Sequence, residues 1–214
     1  MKFPLKALAA TTLAAAFALP TFAASAPQAY GRLHDKALAG AYQVDPDHSS
    51  VQFTIGHAGV ALCSGVFKKV TGSYTFDPKK PAADKADITI AVDSLDTFLP
   101  MRDDDLKKGK QFFDATEYPQ IHFVSTHYVP KGSDHGLLYG DITLHGVTKP
   151  AVFKVELVGS GKVGYLPKPW GGYLSGFVAT TTIDRMDFGV DAYAAGLSHK
   201  VAVRVEIEGV RQGE

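Results

Sequence analysis

Most of the chain after residue 50 alternates between apolar and polar positions, which is the pattern of β-strands with one buried face. Val51, Phe53 and Ile55, for example, are separated by Gln52 and Thr54. Short connections rich in Gly, Pro and Asp join most of these segments, as antiparallel neighbours require. The pattern predicts about eight antiparallel strands, at 51–55, 65–76, 87–92, 121–123, 138–144, 151–157, 177–183 and 201–208.

One connection loses the alternation and predicts a helix. Pro100 precedes the stretch 101–108, which ends at Gly109 and carries three aspartates early and two lysines late. Acidic residues near the start and basic residues near the end suit the helix dipole, and proline and glycine suit the two ends. We therefore expect one short helix there.

Strands with a single apolar face must turn that face towards a common interior. The interior can lie between the sheets of a sandwich or inside a closed barrel, and both remain open at this point. A barrel of about eight strands is either filled by side chains or wide enough for one small ligand. The fold class is all-β, but the alternation alone does not decide between a filled and an open interior.

The first 25 residues have the pattern of a secretory signal peptide. Lys2 and Lys6 come before an apolar run at 7–19, and Pro20 and several small residues follow it. This apolar run of about 13 residues is shorter than the roughly 20 that a membrane-spanning helix needs. We therefore expect export with a cleaved leader at 1–25, and no stable insertion of the mature chain into a membrane.

Composition excludes several classes of function. The 214 residues include 22 basic and 22 acidic side chains, so the chain lacks the concentrated positive charge of a nucleic-acid-binding protein, and we expect no such partner. Cys63 is the single cysteine and cannot form an intramolecular disulfide. It is either an unreactive small residue or part of an intermolecular bridge. The length suits an N-terminal tail at 26–41 and one domain at 42–210.

A series of short motifs is similar to those of a known family. The motifs are YQVDPDHS at 42–49, GVF at 65–67, RD at 102–103, FFD at 112–114, YP at 118–119, GDITLHGVTK at 140–149, GF at 176–177 and DRMDFGV at 184–190. In this order they resemble the YceI-like, polyisoprenoid-binding family over roughly 42–209. The loop at 162–172 and Cys63 depart from the family pattern.

The resemblance implies a lipocalin-like antiparallel barrel, exported to the periplasm, with an apolar lumen that holds a long chain. It implies no catalytic activity and no cofactor, the bound molecule being an isoprenoid, a quinone or another long-chain lipid. Strand parity and aromatic size, placed on such a barrel, predict the lining of the lumen: Phe53, Ile55, His57, Val70, Phe76, Ile90, Phe123, Ile142, Leu144, Phe153, Phe177 and Phe188.

Several polar residues have two interpretations each. His57 shares the face of Phe53 and Ile55, so its imidazole either bonds the polar head of a ligand or is a core histidine bonded to the backbone. Arg102 and Asp103 either form a local pair that holds the helix to the barrel or place Arg102 near a phosphate head. With Trp170 they are our candidates for the mouth of the lumen.

Two further patterns predict no chemistry. His48 follows two aspartates, but the proline and serines around it favour a turn whose side chains bond the backbone, so we expect no metal site. The stretch GSGKVG at 159–164 matches the glycine-rich dinucleotide loop, which requires a following helix. Pro167 and Pro169 forbid that helix, and we expect a turn or loop at 159–164.

The leading functional hypothesis is an exported, non-enzymatic carrier of a long apolar lipid. One alternative is an enzyme that acts on a lipid or quinone in the same cavity, with His57 as acid or base. Another is a filled barrel that serves as a ligand-free, stress-related interaction module. An open lumen would leave few contacts at its centre, which makes a homodimer covering the mouths a further option.

Overall fold

The computed structural model describes residues 38–213. The predicted signal peptide at 1–25 and most of the tail at 26–41 lie outside the described residues. The strands are β1 (Gly40–Val44), β2 (Ser50–His57), β3 (Ala61–Phe67), β4 (Val70–Phe76), β5 (Ala86–Ala91), β6 (Leu95–Asp96), β7 (Gln120–Pro130), β8 (His135–Leu144), β9 (Val147–Val163), β10 (Gly172–Asp184) and β11 (Leu197–Arg211). The helix α1 covers Pro100–Lys108, and short 3-10 turns lie at Pro81–Ala83, Val92–Ser94 and Arg185–Phe188.

The sheet closes on itself through eight of these strands. Their order is β1-β4-β5-β7-β8-β9-β10-β11, and β11 pairs back with β1, where Tyr42 lies opposite Arg211. Every pairing is antiparallel, so the predicted all-β antiparallel barrel is confirmed. The other three strands, in the order β2-β3-β6, extend the wall from the first half of β11.

The barrel has two ends with different connections. At the first, which we call the helix end, lie the β2–β3 turn, the segment 97–119 with α1, the β8–β9 turn and the β10–β11 connection. The opposite end carries the β4–β5, β7–β8 and β9–β10 connections. The long strand β11 spans both, because Leu197 pairs with His57 at the helix end and Val210 pairs with Leu174 near the opposite end.

The predicted helix is confirmed, with Pro100 as its first residue and Gly109 directly after its last. The Gly109 N–H donates to the Asp105 carbonyl, which ends the helix. The side chain of Leu106 packs against the barrel core, while the helix as a whole has no fully buried residue. The helix therefore lies on the barrel end as a cover rather than inside it.

Glycine is required at one close backbone contact between β7 and β8. The register of this pair shifts between Ser125 and His127, and Gly140 lies opposite Ser125. A Cβ atom on Gly140 would lie 2.4 Å from the Val124 carbonyl oxygen, which is part of the neighbouring backbone. Only a residue without a side chain fits this position.

Aromatic side chains pack the barrel near the opposite end. The rings of Tyr42 and Tyr74 stack with centroids 5.5 Å apart, and Phe177 packs edge-on against both Tyr74 (5.5 Å) and Phe76 (5.4 Å). The Tyr74 hydroxyl lies 2.7 Å from the Ser175 hydroxyl, and burial raises the pKa of Tyr74. Within residues 38–213, every buried side-chain nitrogen and oxygen has a hydrogen-bond partner.

The prediction of a turn or loop at 159–164 is wrong. Residues 159–163 belong to β9, where Ser160 lies opposite Ser175 of β10. Both serines are buried, and Ser175 bonds the Tyr74 hydroxyl, so small residues here continue the ladder instead of ending it. The neighbours of this strand are antiparallel, which excludes a dinucleotide loop.

No helix between residues 38 and 213 is both long and apolar enough to cross a membrane.

Candidate functional site

A cavity of about 620 Å³ lies inside the barrel. Its lining includes His57 and Leu197 at the helix end and Asp84 and Ser133 at the opposite end, so it extends over the length of the barrel. The volume falls within the range of about 300–1,000 Å³ that is usual for small-molecule sites. The interior is therefore open, and the packed interior that a filled barrel would have is absent from the described structure.

Ten of the twelve predicted lumen residues line this cavity. They are Phe53, Ile55, His57, Phe76, Ile90, Phe123, Ile142, Leu144, Phe153 and Phe177. The wall between them is built from further alternating apolar positions that parity could also have identified, among them Val155, Leu157, Ala179, Val203, Val205 and Ile207. The rings of Phe123 and Phe153 pack edge-on, 5.1 Å apart, in the middle of the wall.

Val70 and Phe188 were predicted to line the lumen but do not contact the cavity. Val70 begins β4 opposite Ile90 and is completely enclosed by other core side chains. Phe188 lies in the 3-10 turn Arg185–Phe188 rather than in a strand, so strand parity does not apply to it. It is buried in a core cluster with Val190 and the wall residues Phe123, Ile142, Leu144 and Phe153.

The helix end of the lumen is closed partly by residues that have no strand parity. Leu106 of α1 and Phe112 and Phe113 after it line the cavity. Phe113 packs edge-on against Phe67, with centroids 5.5 Å apart. Sequence analysis did not assign these side chains to the lumen, because the only signal was an apolar cluster in an irregular segment.

Arg102 and Asp103 bind the same threonine instead of each other. Arg102 Nε donates to the Thr97 hydroxyl (2.9 Å), and its Nη2 donates to the Thr97 carbonyl. Asp103 Oδ1 accepts from the Thr97 N–H (2.7 Å) and from the Thr97 hydroxyl (2.5 Å). This network fixes α1 to the segment before it. Arg102 also lines the cavity, whereas Asp103 does not.

Arg185 is a second cation at the helix end and, unlike the half-buried Arg102, it is buried; sequence reasoning did not single it out as a site residue. Its guanidinium donates to the carbonyls of Val190 (2.6 Å), Ala192 (2.9 Å), Ser198 (3.0 Å) and Leu197 (3.2 Å). Burial lowers the pKa of this side chain. The bonds hold the β10–β11 connection in place, so the arginine has a structural role while it borders the lumen.

His57 differs from these residues. It lies at the end of β2, lines the cavity and is exposed. No hydrogen bond joins its ring to any residue within 38–213, so the interpretation as a core histidine bonded to the backbone is wrong. Its face of the sheet also carries Cys63, which lies opposite Ile55 and lines the cavity.

At the opposite end of the lumen, Asp84 is the notable polar group. It accepts a hydrogen bond from the Asp77 N–H (2.9 Å), and burial raises the pKa of its carboxyl to about 7. Burial also raises the pKa of nearby Tyr128, and the Asp84 charge adds to that effect. Trp170, predicted for the mouth, instead donates to Asp47 Oδ2 (3.1 Å) and does not line the cavity.

One cluster outside the lumen has metal-ligating side chains. Nδ1 of His48 lies 2.9 Å from Asp45 Oδ2 and 3.8 Å from Glu208 Oε1. Asp45 Oδ1 also accepts from the Asp47 N–H, which is the side-chain-to-backbone turn predicted here. The hydrogen bond to Asp45 raises the pKa of His48, and burial raises that of Glu208. The ligand atoms of Asp45, His48 and Glu208 lie within 4.8 Å of one another, and the absence of a metal from this cluster stays a prediction.

The model of one protein family, the YceI-like domain, matches residues 42–209. The chain belongs to the YceI-like family. It is similar to Protein YceI of Shigella flexneri, with 39% identity over 178 residues, which are 82% of this chain and 90% of that protein.

Solved structures of YceI-like proteins have the same architecture. Burkholderia cenocepacia BcnA matches with a TM-score of 0.66 and 27% identity, covering 77% of this chain and 98% of that one. A polyisoprenoid binding domain from Saccharophagus degradans matches with a TM-score of 0.59, over 80% of this chain and 98% of that one. At 14% identity, the second match shows the fold alone.

The motifs that carry the YceI-like resemblance build the barrel and its helix end. The stretch GDITLHGVTK forms the end of β8, the turn at His145 and the start of β9. In DRMDFGV, Asp184 accepts from the Met186 N–H (3.0 Å), Gly189 has a φ of 72°, and Arg185 binds the following connection. The resemblance therefore fixes the barrel and its helix end, and the chemistry of the lumen comes from the apolar wall.

Proposed function

We propose that this YceI-like protein is an exported, non-enzymatic binding protein that carries a long-chain apolar lipid in its lumen. The ligand would be an isoprenoid, a quinone or a fatty-acid derivative. The observation that supports this proposal is the apolar wall, which continues from Leu197 at the helix end to Leu157 and Phe177 near the opposite end. Such a lining favours a long chain over a compact polar molecule.

Burial of the chain provides the driving force for binding. Each methylene removed from water contributes about 0.8 kcal/mol, so ten carbons contribute roughly 8 kcal/mol before the cost of ordering the ligand. A ligand held this way stays bound during purification without detergent. The proposal of export depends on residues 1–25, which lie outside the described structure.

One observation supports the ligand class and another supports binding rather than catalysis. The Saccharophagus degradans domain with the same fold is described as polyisoprenoid binding. The polar groups beside the lumen support binding rather than catalysis, because Arg102 and Arg185 are engaged in structural hydrogen bonds. An enzyme in the same cavity would have to depend on His57. The homodimer stays a prediction.

The test is to purify the mature protein from an exporting bacterial host, extract it with organic solvent after denaturation, and identify bound molecules by mass spectrometry. We expect a long-chain lipid at close to one molecule per chain. An empty extract, both directly and after incubation with isoprenoid-containing vesicles, would contradict the proposal. Chemical conversion of the bound lipid that is lost in His57→Ala would favour the enzyme instead.

A matched pair of variants locates the ligand. Phe123 faces the lumen, and its neighbour Val124 points outward and is exposed. Phe123→Asp should abolish loading while Val124→Asp retains it, because only the first puts a carboxylate in the path of the chain. If Phe123→Asp fails to fold, Ala179→Trp provides the test instead, because it fills the lumen without adding a charge and should also reduce loading. Normal loading in a folded Ala179→Trp variant would refute the lumen as the site.

A further inference from the structure

Three neighbouring segments at the helix end form a surface without charge, which we call the crown. The crown consists of residues 58–62 in the β2–β3 hairpin, 97–101 before and at the start of α1, and 192–197 before β11. Their sequences are AGVAL, TFLPM and AYAAGL, and none contains Asp, Glu, Lys, Arg or His. Charged residues begin only beyond them, as at Arg102 and Asp191.

The three segments lie side by side along one arc of the mouth. The Ala58 N–H donates to the Gly196 carbonyl (2.6 Å), which joins the first segment to the third. Gly65 of β3 lies close to Thr97, since a Cβ on this glycine would be 2.8 Å from Thr97 Cγ2. His57, Thr97 and Leu197, at the bases of the segments, line the cavity. The crown therefore borders the opening of the lumen at this end.

Large apolar side chains of the crown point into solvent. The exposed fractions are 87% for Val60, 75% for Leu62, 78% for Phe98, 70% for Met101 and 75% for Tyr193. Phe98 and Tyr193 also have left-handed backbone conformations, with φ of 65° and 51°, which bulky residues seldom adopt. Contiguous exposed apolar surface of this kind marks an interaction site.

The opposite end of the barrel has a different character. Its three connections, 77–85, 131–134 and 164–171, contain five, two and one charged residues respectively. Tyr165 is 86% exposed there, but Lys168 lies in the same loop. At the helix end, which also includes the β8–β9 turn at His145, the connection at 109–119 carries Lys110, Asp114 and Glu117, so the uncharged surface does not extend around the whole mouth.

We infer that the crown docks on a lipid bilayer surface, with Phe98, Tyr193 and the hairpin tip inserted at the boundary between headgroups and acyl chains. The crown has 16 residues in three strips along one arc of an opening, whereas a stable protein interface uses about 20–30 residues a side with about one hydrogen bond per 100–200 Å². Its side chains offer few groups for directional bonding, because the Thr97 hydroxyl is already engaged. Without charges to desolvate, insertion among lipids has little electrostatic cost. Aromatic side chains are typical of that boundary.

This inference deepens the proposed function and rests on it, because it supplies the route by which a lipid chain passes between a membrane and the lumen. A ligand that leaves the bilayer under the crown would enter the apolar wall at Leu197 and Ile55 without crossing water. The crown would thus orient the barrel with its charged end away from the membrane.

Tryptophan fluorescence gives a direct test. Trp170 is the single tryptophan, so Trp170→Phe provides a background without emission from this residue type. In that background, Phe98→Trp places the probe in the crown and Tyr165→Trp places it at an equally exposed position on the opposite end. With vesicles of phosphatidylethanolamine and phosphatidylglycerol, we expect a blue shift for the probe at 98 and none for the probe at 165.

Vesicle flotation of the mature protein gives the second measurement. Phe98→Ser combined with Tyr193→Ser should lower the vesicle-bound fraction at least about tenfold, whereas Tyr165→Ser should leave it unchanged. Equal blue shifts at both probes, no association with vesicles, or a shift that appears without vesicles and grows with protein concentration would overturn the inference. The last result would identify a second copy as the occupant. Lipid extraction from the same preparations separates the two proposals. Protein that contains lipid but does not bind vesicles would contradict only the docking of the crown. Protein that binds vesicles but contains no lipid would contradict the carrier function.

Discussion

Replacing Thr97 by valine tests whether one hydroxyl group fixes α1, which covers the helix end of the lumen, to the segment before it. Thr97 is 2% exposed, and its hydroxyl donates to Asp103 and accepts from Arg102. Valine has nearly the same shape but no hydroxyl. The substitution therefore removes two hydrogen bonds to charged groups while leaving the packing in place.

The expected loss follows from what each partner keeps. A hydrogen bond to a charged group contributes about 1.5–3 kcal/mol. Asp103 still accepts from the Thr97 N–H, and Arg102 still donates to the Thr97 carbonyl, so neither charge is left without a partner. We therefore take the low end for each bond, about 1.5 kcal/mol, and expect Thr97→Val to lower the free energy of unfolding by about 3 kcal/mol.

Urea unfolding followed by circular dichroism measures this loss, and hydrogen exchange should show faster exchange at 98–108. Thr54→Val is the matched control, because the Thr54 hydroxyl bonds only the Ser64 hydroxyl (3.1 Å) on the exposed face of the sheet. The control should lose less than about 0.5 kcal/mol. A Thr97→Val variant that is as stable as this control, with unchanged hydrogen exchange over α1, would show that the hydroxyl does not fix α1 in place.

Three further predictions concern single positions. Gly140→Ala should lower the free energy of unfolding by about 1–3 kcal/mol in urea, because the new Cβ would meet the Val124 carbonyl; an unchanged midpoint would contradict the close approach of β7 and β8. Because burial raises the Asp84 pKa from 3.8 to about 7, the folded state holds its proton more tightly, and this group's contribution to stability should fall as pH rises through that range and level off above it. Thermal unfolding across pH should show that slope in the wild type and less of it in Asp84→Asn, and equal slopes would refute the assignment. A small thiol-reactive reagent should modify Cys63 more slowly in lipid-loaded than in lipid-free protein; equal rates would mean that the ligand does not pass this part of the lumen.

The strands that the sequence predicted are those whose alternation is long enough to show a period of two. β9, β10 and β11 run for 13 to 17 residues and have a continuous apolar face. The separate strand β1 and the two-residue strand β6 were missed because strands this short show no clear period. They are recognised only by their pairing, β1 with β4 and β6 with β3. The break between β3 and β4 was also missed, because the alternation around 65–76 continues through it.

The same limit separates what was predicted of the site from what was not. The wall follows from parity, so most of its aromatic residues could be assigned, whereas Phe188 in a 3-10 turn could not. The hydrogen bonds of Arg185 and Thr97 join residues only 5 to 13 positions apart, but they form in irregular connections where no periodicity indicates which groups meet. A buried arginine whose partners are all backbone carbonyls leaves no complementary acidic residue to find in the sequence.

The position of these polar groups explains how the barrel keeps an open lumen. The stacked tyrosines with Phe177 pack the region near one end, and Arg185 and Thr97 fix the connections at the other. The middle is then held by the strand ladders and needs no side chain to fill it. Apolar contacts there change the binding free energy of two ligands that differ by one methylene by only about 1–3 kcal/mol. For the proposed carrier function, selection of a ligand would therefore come from the ends, where His57 lines the lumen and burial raises the pKa of Asp84 to about 7.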